Sequence, residues 1–226
     1  MRAIIIAAGR GSRLMPTTAD SPKCFAEVRG RRLLDRCLDA LRAAGISDIC
    51  FIGGYQMDKV RAAYPQFTFR HNQDWPNNNI LASLMHAEDL MAEPFVCTYA
   101  DVLYTADVVR RLLETQADIA LSVDTQWLDR YQFRTQHPPD DAEKVIVDNG
   151  RATRVNRGID PREAHRDYPG LAKVYPAGAA LLRQHFHRCK AQFAGKPFRE
   201  ASLFEKAYLI HLLQEMIEHG VSMAHA

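Results

Sequence analysis

Two apolar rhythms alternate along the chain. Residues 3–8 form a continuous apolar run of strand length, the pattern of a parallel strand covered on both faces. Residues 32–44 then place apolar side chains at Leu33, Leu34, Cys37, Leu38 and Leu41, a helical period that Gly45 stops. Residues 48–52 read as a second strand, 56–63 as a helix closed by Pro65, and 67–70 as a third strand. A polar stretch over 72–79 leads into a helical pattern over 80–91, with Pro94 behind it. Residues 95–100 are a fourth strand ending at Asp101, 107–115 a helix and 118–123 a fifth strand. This alternation predicts an α/β fold with a mainly parallel sheet and helices on both faces. Right-handed crossovers gather the loops leaving the strands at one edge, where such sheets bind ligands.

The remainder is less regular. Residues 144–147 and 151–155 flank Asp148-Asn149-Gly150 and read as a hairpin with an Asn-Gly turn. Residues 171–175 read as a strand, and 176–193 and 201–219 as helices. No internal repeat or low-complexity tract interrupts the chain. The segment 136–141, with Pro138-Pro139, is the best junction between two halves, 1–135 and 136–226.

Composition narrows the class. The 226 residues, against a prior of ~150 per domain, suit one elaborated domain. With 47% hydrophobic and 25% charged residues the chain is ordinary globular material. Lys plus Arg number 29 and Asp plus Glu 27, a formal +2; a dedicated nucleic-acid binder shows a clearer basic excess. No apolar run approaches the ~20 residues of a membrane span. The apolar part of residues 1–9 is short for a signal peptide and runs into Arg10-Gly11-Ser12, so a buried first strand is the better reading. The five cysteines lack CxxC spacing, which argues against a zinc site or a disulfide framework and suits buried thiols in a cytoplasmic protein.

The strongest local signal is Ala7-Ala8-Gly9-Arg10-Gly11-Ser12-Arg13-Leu14-Met15-Pro16, with Ser21-Pro22-Lys23 shortly after. Glycines directly after a strand let backbone N–H groups approach phosphate oxygens, and Arg13 and Lys23 bring the charge a polyphosphate requires. The dinucleotide fingerprint fails because Leu14 stands where its third glycine belongs, and no Gly-Lys-Ser/Thr of a P-loop occurs. A Gly-x-Gly turn alone would be only a tight turn. A second signal is Asp101, a carboxylate at a strand end, positioned to ligate Mg²⁺ beside substrate phosphates. It stands too early to cap the next helix, a task that suits Thr105 or Asp107.

The stretch from Ile4 to Lys23 resembles the signature of the nucleotidyltransferase superfamily that activates sugar and alcohol phosphates with nucleoside triphosphates. Its form is A-A-G-x-G-[ST]-R-[LM]-x-P followed by P-K. Ala7, Ala8, Gly9, Gly11, Ser12, Arg13, Leu14, Pro16, Pro22 and Lys23 all match. The likeness continues through Glu27-Val28, Arg32-Leu33-Leu34, Ala44-Gly45-Ile46 and Gly53-Gly54-Tyr55. It is strong over the first half and weak beyond.

The resemblance implies a three-layer, Rossmann-like mixed, mainly parallel sheet of the nucleotide-diphospho-sugar transferase type. It implies a nucleotide-binding half over 1–135 and an acceptor-binding half over 136–226 of one domain. Ala7, Ala8, Gly9, Gly11 and Ser12 would wrap the triphosphate. Arg13 would hold the leaving pyrophosphate, Lys23 the α-phosphate or the incoming phosphate, and Asp101 the Mg²⁺. Between Asn72 and Ser83 the chain lacks the Gly-Thr of sugar-1-phosphate enzymes. Its Asn-Asn-x-x-x-Ser-Leu more closely resembles the branch that makes CDP-choline and CDP-linked phosphonates from CTP. Asn78, Asn79 and Ser83 are then candidates for base or ribose contact, their amides offering donors and acceptors to a pyrimidine edge. An N-cap at Asn78 or Asn79 is the structural alternative.

Lys173, in Gly170-Leu171-Ala172-Lys173-Val174-Tyr175, resembles a phosphate contact of the acceptor pocket. Trp75, Tyr99, Tyr104, Tyr131, Tyr168 and Tyr175 are the pool from which an aromatic cage for a quaternary ammonium would be drawn. Related enzymes hold Mg²⁺ with a second Asp in an apolar-Asp pair after the last helix. Residues 219–226 carry no acid, which leaves a longer chain, a substitute acid, or Asp101 with phosphates alone.

The expectation is therefore a cytidylyltransferase joining CTP to a small phosphate or phosphonate acceptor such as phosphocholine, with release of pyrophosphate. A sugar-1-phosphate enzyme using UTP, GTP or dTTP is one alternative. A non-catalytic nucleotide-binding regulator is another. Nucleic acid and membrane are not expected partners, and a homo-oligomer is compatible with this reading.

Overall fold

The computed structural model of the protein describes residues 1–134 and 138–226, with the side chain of Arg13 outside the description. The junction expected at 135/136 thus lies outside the described residues. The chain opens with β1 (Arg2–Ala7), a small hairpin of β2 (Glu27–Val28) and β3 (Arg31–Arg32), α1 (Leu33–Ala43), β4 (Asp48–Gly53) and α2 (Met57–Ala63). It continues through β5 (Thr68–His71), α3 (Ile80–Leu84), β6 (Phe95–Tyr99), α4 (Ala106–Glu114), β7 (Ile119–Leu121) and α5 (Trp127–Tyr131). The hairpin of β8 (Lys144–Asp148) and β9 (Arg151–Val155) follows, then β10 (Arg166–Asp167), β11 (Leu171–Val174), α6 (Pro176–Phe193), α7 (Leu209–Glu218) and β12 (Ala224–His225).

The main sheet runs β10-β8-β9-β12-β7-β11-β6-β1-β4-β5. Strands β5, β4, β1 and β6 are parallel neighbours. Strand β11 lies reversed between β6 and β7, so β7 keeps the common direction. Strand β12 joins β7 in parallel and β9 antiparallel. Alternate side chains of β1 feed two cores: Ile4 and Ile6 face one, Ala3 and Ile5 the other. Helix α1 covers the second with Leu34, Leu38 and Leu41, while α6 and α7 cover the first with Leu182, Phe186, Leu212 and Leu213. A continuous apolar strand is the sequence expression of a sheet covered on both sides, and the fold is the expected mixed three-layer α/β architecture.

Two helices differ from expectation. The pattern over 80–91 is α-helical only to Leu84; a 3₁₀ run over Met85–Leu90 bends at Ala87 (φ −108°, ψ 20°). The helix expected over 201–219 begins at Leu209, because Ala201 pairs with Phe198 and a 3₁₀ turn over Phe204–Lys206 intervenes. Tyr208 and His211 cap its start reciprocally. No helix among the described residues is long and apolar enough to cross a membrane. All five cysteines are buried and free.

Candidate active site

A cleft of 740 Å³ opens where β1 and β6 end, lined by the glycine loop, the 72–83 segment and the tip of the β8–β10 extension. Ala7, Ala8, Gly9, Gly11, Lys23, Asn78, Asn79, Ser83 and Asp101 all line it. Ser12 is exposed and does not line it, and the Arg13 side chain lies outside the description.

The loop's course follows from its residues. Strand β1 delivers Ala8, whose carbonyl accepts from the Tyr55 amide at 2.9 Å. Gly11 adopts φ 68°, opening a 3₁₀ turn over Ser12–Leu14, a backbone region that costs an L-residue about 1 kcal/mol. Its carbonyl accepts from the buried Thr18 hydroxyl at 2.9 Å and the Leu14 amide at 3.0 Å. Lys23 follows Pro22 at the start of a second 3₁₀ turn and reaches across the cleft to an ion pair with Asp101. Asp101 stands two residues beyond β6 and is not the cap of α4, whose N-cap is Thr105. The neighbouring Cys24 is no nucleophile, since burial pushes its thiol up to about 12.

Asp101 is a one-third exposed carboxylate at the cradle, with Lys23 as its ion-pair partner. Among the described residues no group of three His, Cys, Asp or Glu is arranged to hold a metal. A single acid beside a polyphosphate suits Mg²⁺, which keeps waters and phosphate oxygens and needs only one or two carboxylates. The residues present therefore fit that ion better than a metal requiring a protein cage.

The amide-rich segment is held by a residue that sequence reasoning missed. Asn72, fully buried just past β5, donates to Asn78 Oδ1 at 2.7 Å and to Ser83 Oγ at 2.9 Å. Asn78 returns a bond to Asn72 Oδ1 at 3.0 Å. Asn79 caps α3 at the Ile80 amide and donates to the Lys206 carbonyl at 3.1 Å. The cap reading and the cleft-lining reading of this segment thus hold together. Asn78 keeps one N–H and one lone pair for a ligand. Asn72 carried a signal, for it follows a parallel strand as Asp101 does.

The far end of the cleft is built by residues the sequence did not single out. Glu143 accepts from Arg157 at 3.0 Å and from the Tyr99 hydroxyl at 3.3 Å. Burial pushes Glu143 up to about 7, with Arg157 working in the opposite direction. Arg157 lies 3.8 Å over the Tyr208 ring. Asp124, paired with Arg130 at 2.9 Å, and Asp167 complete this corner. Of the aromatic pool, Trp75, Tyr99, Tyr131 and Tyr168 line the cleft. Tyr104 instead meets Cys37 at 2.9 Å, and Tyr175 lies beneath the Lys173 ammonium.

Lys173 is not brought to the cleft. It is fully buried, and its Nζ donates to the carbonyls of Leu113, at 3.2 Å, and Thr115 at the end of α4. Its place on β11 aims it at the helix layer. The acceptor contact expected of it is corrected accordingly: it is a helix-terminus ligand.

The family model for the MobA-like NTP transferase domain matches residues 3–139. A CTP:phosphoglutamine cytidylyltransferase of Campylobacter jejuni is 32% identical, over 96% of this chain and 88% of the relative. A UTP–glucose-1-phosphate uridylyltransferase of Haloferax volcanii is 32% identical over 55% of this chain and 54% of its own length. The solved inositol-1-phosphate CTP transferase from T. maritima superposes with a TM-score of 0.74 at 21% identity, covering 99% of this chain and 84% of that one.

Proposed function

The chain belongs to the MobA-like NTP transferase domain family, and from that premise we propose that it joins CTP to a small phosphate or phosphonate acceptor. The observation that carries this reading is the single cleft in which the glycine loop, Lys23 and Asp101 face the Glu143–Arg157 corner. A triphosphate cradle and a polar acceptor end thus share one space. CTP rather than another triphosphate is supported by the name of the Campylobacter relative, which aligns over nearly the whole chain.

In the proposed reaction an acceptor oxygen attacks the α-phosphorus of CTP. The new P–O bond forms as the α–β bridge breaks, and pyrophosphate leaves with the bonding pair. The acceptor oxygen is already anionic, so positioning and charge neutralisation suffice. The backbone of Ala8, Gly9 and Gly11 holds the triphosphate, and Arg13, by the resemblance, the departing pyrophosphate. Lys23 would leave its pair with Asp101 and turn to the α-phosphate, and Asp101 is the residue that would hold Mg²⁺. When bound, that ion neutralises charge on the phosphate oxygens. Asn78 and Ser83 flank the base.

Pyrophosphate release measured with CTP, UTP, GTP and dTTP tests the proposal. CTP is expected to lead, and a purine preference would remove it. The Haloferax relative favours a second reading, UTP with a sugar 1-phosphate; faster release from UTP with glucose 1-phosphate than from CTP with any small acceptor would select it. Triphosphate binding without release under every pairing would select a non-catalytic binder.

A further inference from the structure

The amide-rich segment carries a hydrogen-bond direction into the cleft from behind it, on the reading that the cleft binds a pyrimidine nucleoside triphosphate with Asn78 beside its base. The relay starts at the Asn79 carbonyl, which can only accept, so the Ser83 hydroxyl donates to it at 3.0 Å. With its hydrogen spent there, Ser83 Oγ is an acceptor toward Asn72 at 2.9 Å, and the Asn72 atom facing it is the amino Nδ2. The second N–H of that group goes to Asn78 Oδ1 at 2.7 Å, and Asn78 Nδ2 returns a bond to Asn72 Oδ1 at 3.0 Å. Asn72 is fully buried, does not line the cleft, and is tied by its backbone amide to the Gly53 carbonyl at 2.8 Å. Turning the Asn78 amide over alone would set carbonyl against carbonyl and amino against amino. Turning both amides together would take the Ser83 hydrogen from the Asn79 carbonyl and leave a buried N–H of Asn72 without a partner.

We infer that Asn72 sets the choice between cytosine and uracil without touching either, by holding the Asn78 amide in one of its two orientations. Cytosine presents an amino donor beside a ring-nitrogen acceptor, and uracil a carbonyl acceptor beside an N–H donor, so the two edges are reversed. An amide free to rotate about χ2, a broad twofold torsion, can meet either edge by turning over. Held as it is, Asn78 offers its remaining N–H and lone pair at fixed positions and matches one edge only. The other edge leaves polar groups unpaired on both sides. The neighbouring candidates are already spent: Asn79 on the Ile80 amide and the Lys206 carbonyl, Ser83 on the Asn79 carbonyl and Asn72. Asn72 is thus a positioning residue that acts through Asn78.

Calorimetric dissociation constants for CTP and UTP with Mg²⁺ provide the test and need no acceptor. The wild-type protein should prefer CTP by at least ~10-fold, as expected when one hydrogen bond is mispaired in a partly buried site. Asn72→Leu keeps the branched shape, removes the relay, and should bring the two constants to within about threefold. Asn72→Asp faces Asn78 with two acceptors, so each orientation of Asn78 meets one good and one bad contact, and the ratio should collapse in the same way. A merely structural loss lowers the binding stoichiometry or weakens both nucleotides alike, and leaves their ratio unmoved. In an Asn78→Ala background the ratio is already small, and Asn72→Leu should change it no further. Equal binding of CTP and UTP to the wild-type protein overturns the inference. So does an unchanged ratio in the Asn72 variants, loss of both nucleotides from both variants, or a further change of ratio in the Asn78→Ala background; each leaves the triphosphate cradle standing. A wild-type preference for UTP that collapses in the variants overturns the CTP reading and leaves the inference in place. Absence of CTP and UTP binding to the wild-type protein overturns the nucleotide reading and the inference with it.

Discussion

A Cβ built on Gly11 would lie 2.8 Å from the Cβ of Lys23 and 3.0 Å from its Cγ and Cδ. The loop glycine and the lysine that follows it are thus in direct register, and the glycine's absent side chain is what lets the lysine stem pass toward Asp101. Gly11→Ala would force a left-handed φ on an alanine, costing about 1 kcal/mol, and would displace the Lys23 stem. We expect at least a tenfold weaker CTP affinity by calorimetry with the circular dichroism spectrum intact. Unchanged affinity would mean that the loop adapts and that Lys23 does not act from this position.

The ion pair of Lys23 with Asp101 places the two charges of the proposed chemistry together before any nucleotide arrives. Lys23→Met and Asp101→Asn should each lower kcat by ~100-fold or more, the usual loss for one electrostatic stabiliser. Only Asp101→Asn should also raise the Mg²⁺ concentration that gives half-maximal rate. A magnesium titration of pyrophosphate release separates the two, and wild-type rates in either variant would refute the assignment.

The glycine-loop side of this cleft, the proposed nucleotide side, was readable because its parts are contiguous. Gly9, Gly11 and Lys23 lie in one short segment after β1 and Asp101 stands two residues past β6, so strand-end logic together with the matched signature gathers them. The acceptor side has no such continuity. Glu143, Arg157, Asp167 and Tyr208 come from four separate segments and meet only through the β8–β10 extension and the start of α7. Lys173 misled because an apolar strand with one lysine does not reveal which layer the lysine enters. The two-residue strands β2, β3, β10 and β12 are too short for period-two alternation to register, and the five-residue α5 completes barely more than one turn.

Asp167 carries a pH-dependent cost to stability. Its pKa rises from 3.8 to about 6 on folding, chiefly through burial, so the folded chain holds this proton more tightly than the unfolded chain. Stability therefore falls as pH rises between those values, and the full penalty is present above them. Glu143, raised from 4.5 to about 7, acts in the same sense. Asp167→Asn removes one of these penalties and should stabilise the ligand-free protein by about 3 kcal/mol at pH 8, roughly 6–12 °C in Tm, and little at pH 4. Thermal melts at the two pH values check it. A variant less stable at pH 8 would mean that Asp167 is compensated in the folded protein.

Lys173 supplies the contrasting case, a buried charge whose work is structural. Its ammonium satisfies the carbonyls of Leu113 and Thr115 where α4 ends, and burial lowers its pKa. Strand β11, which carries it, also places Gly170 against Tyr99 at the cleft, so the strand serves both sides of the sheet. Lys173→Met keeps the length and apolar stem of the side chain and removes the donor. Leaving buried carbonyls without a partner costs about 1–3 kcal/mol, which corresponds to a Tm lower by roughly 3–10 °C. With the fold retained, kcat/KM for the acceptor should stay within twofold of wild type, because no atom of Lys173 lines the cleft. Melting and acceptor kinetics on the same variant give the answer together. A raised acceptor KM at an unchanged Tm would return Lys173 to the acceptor site.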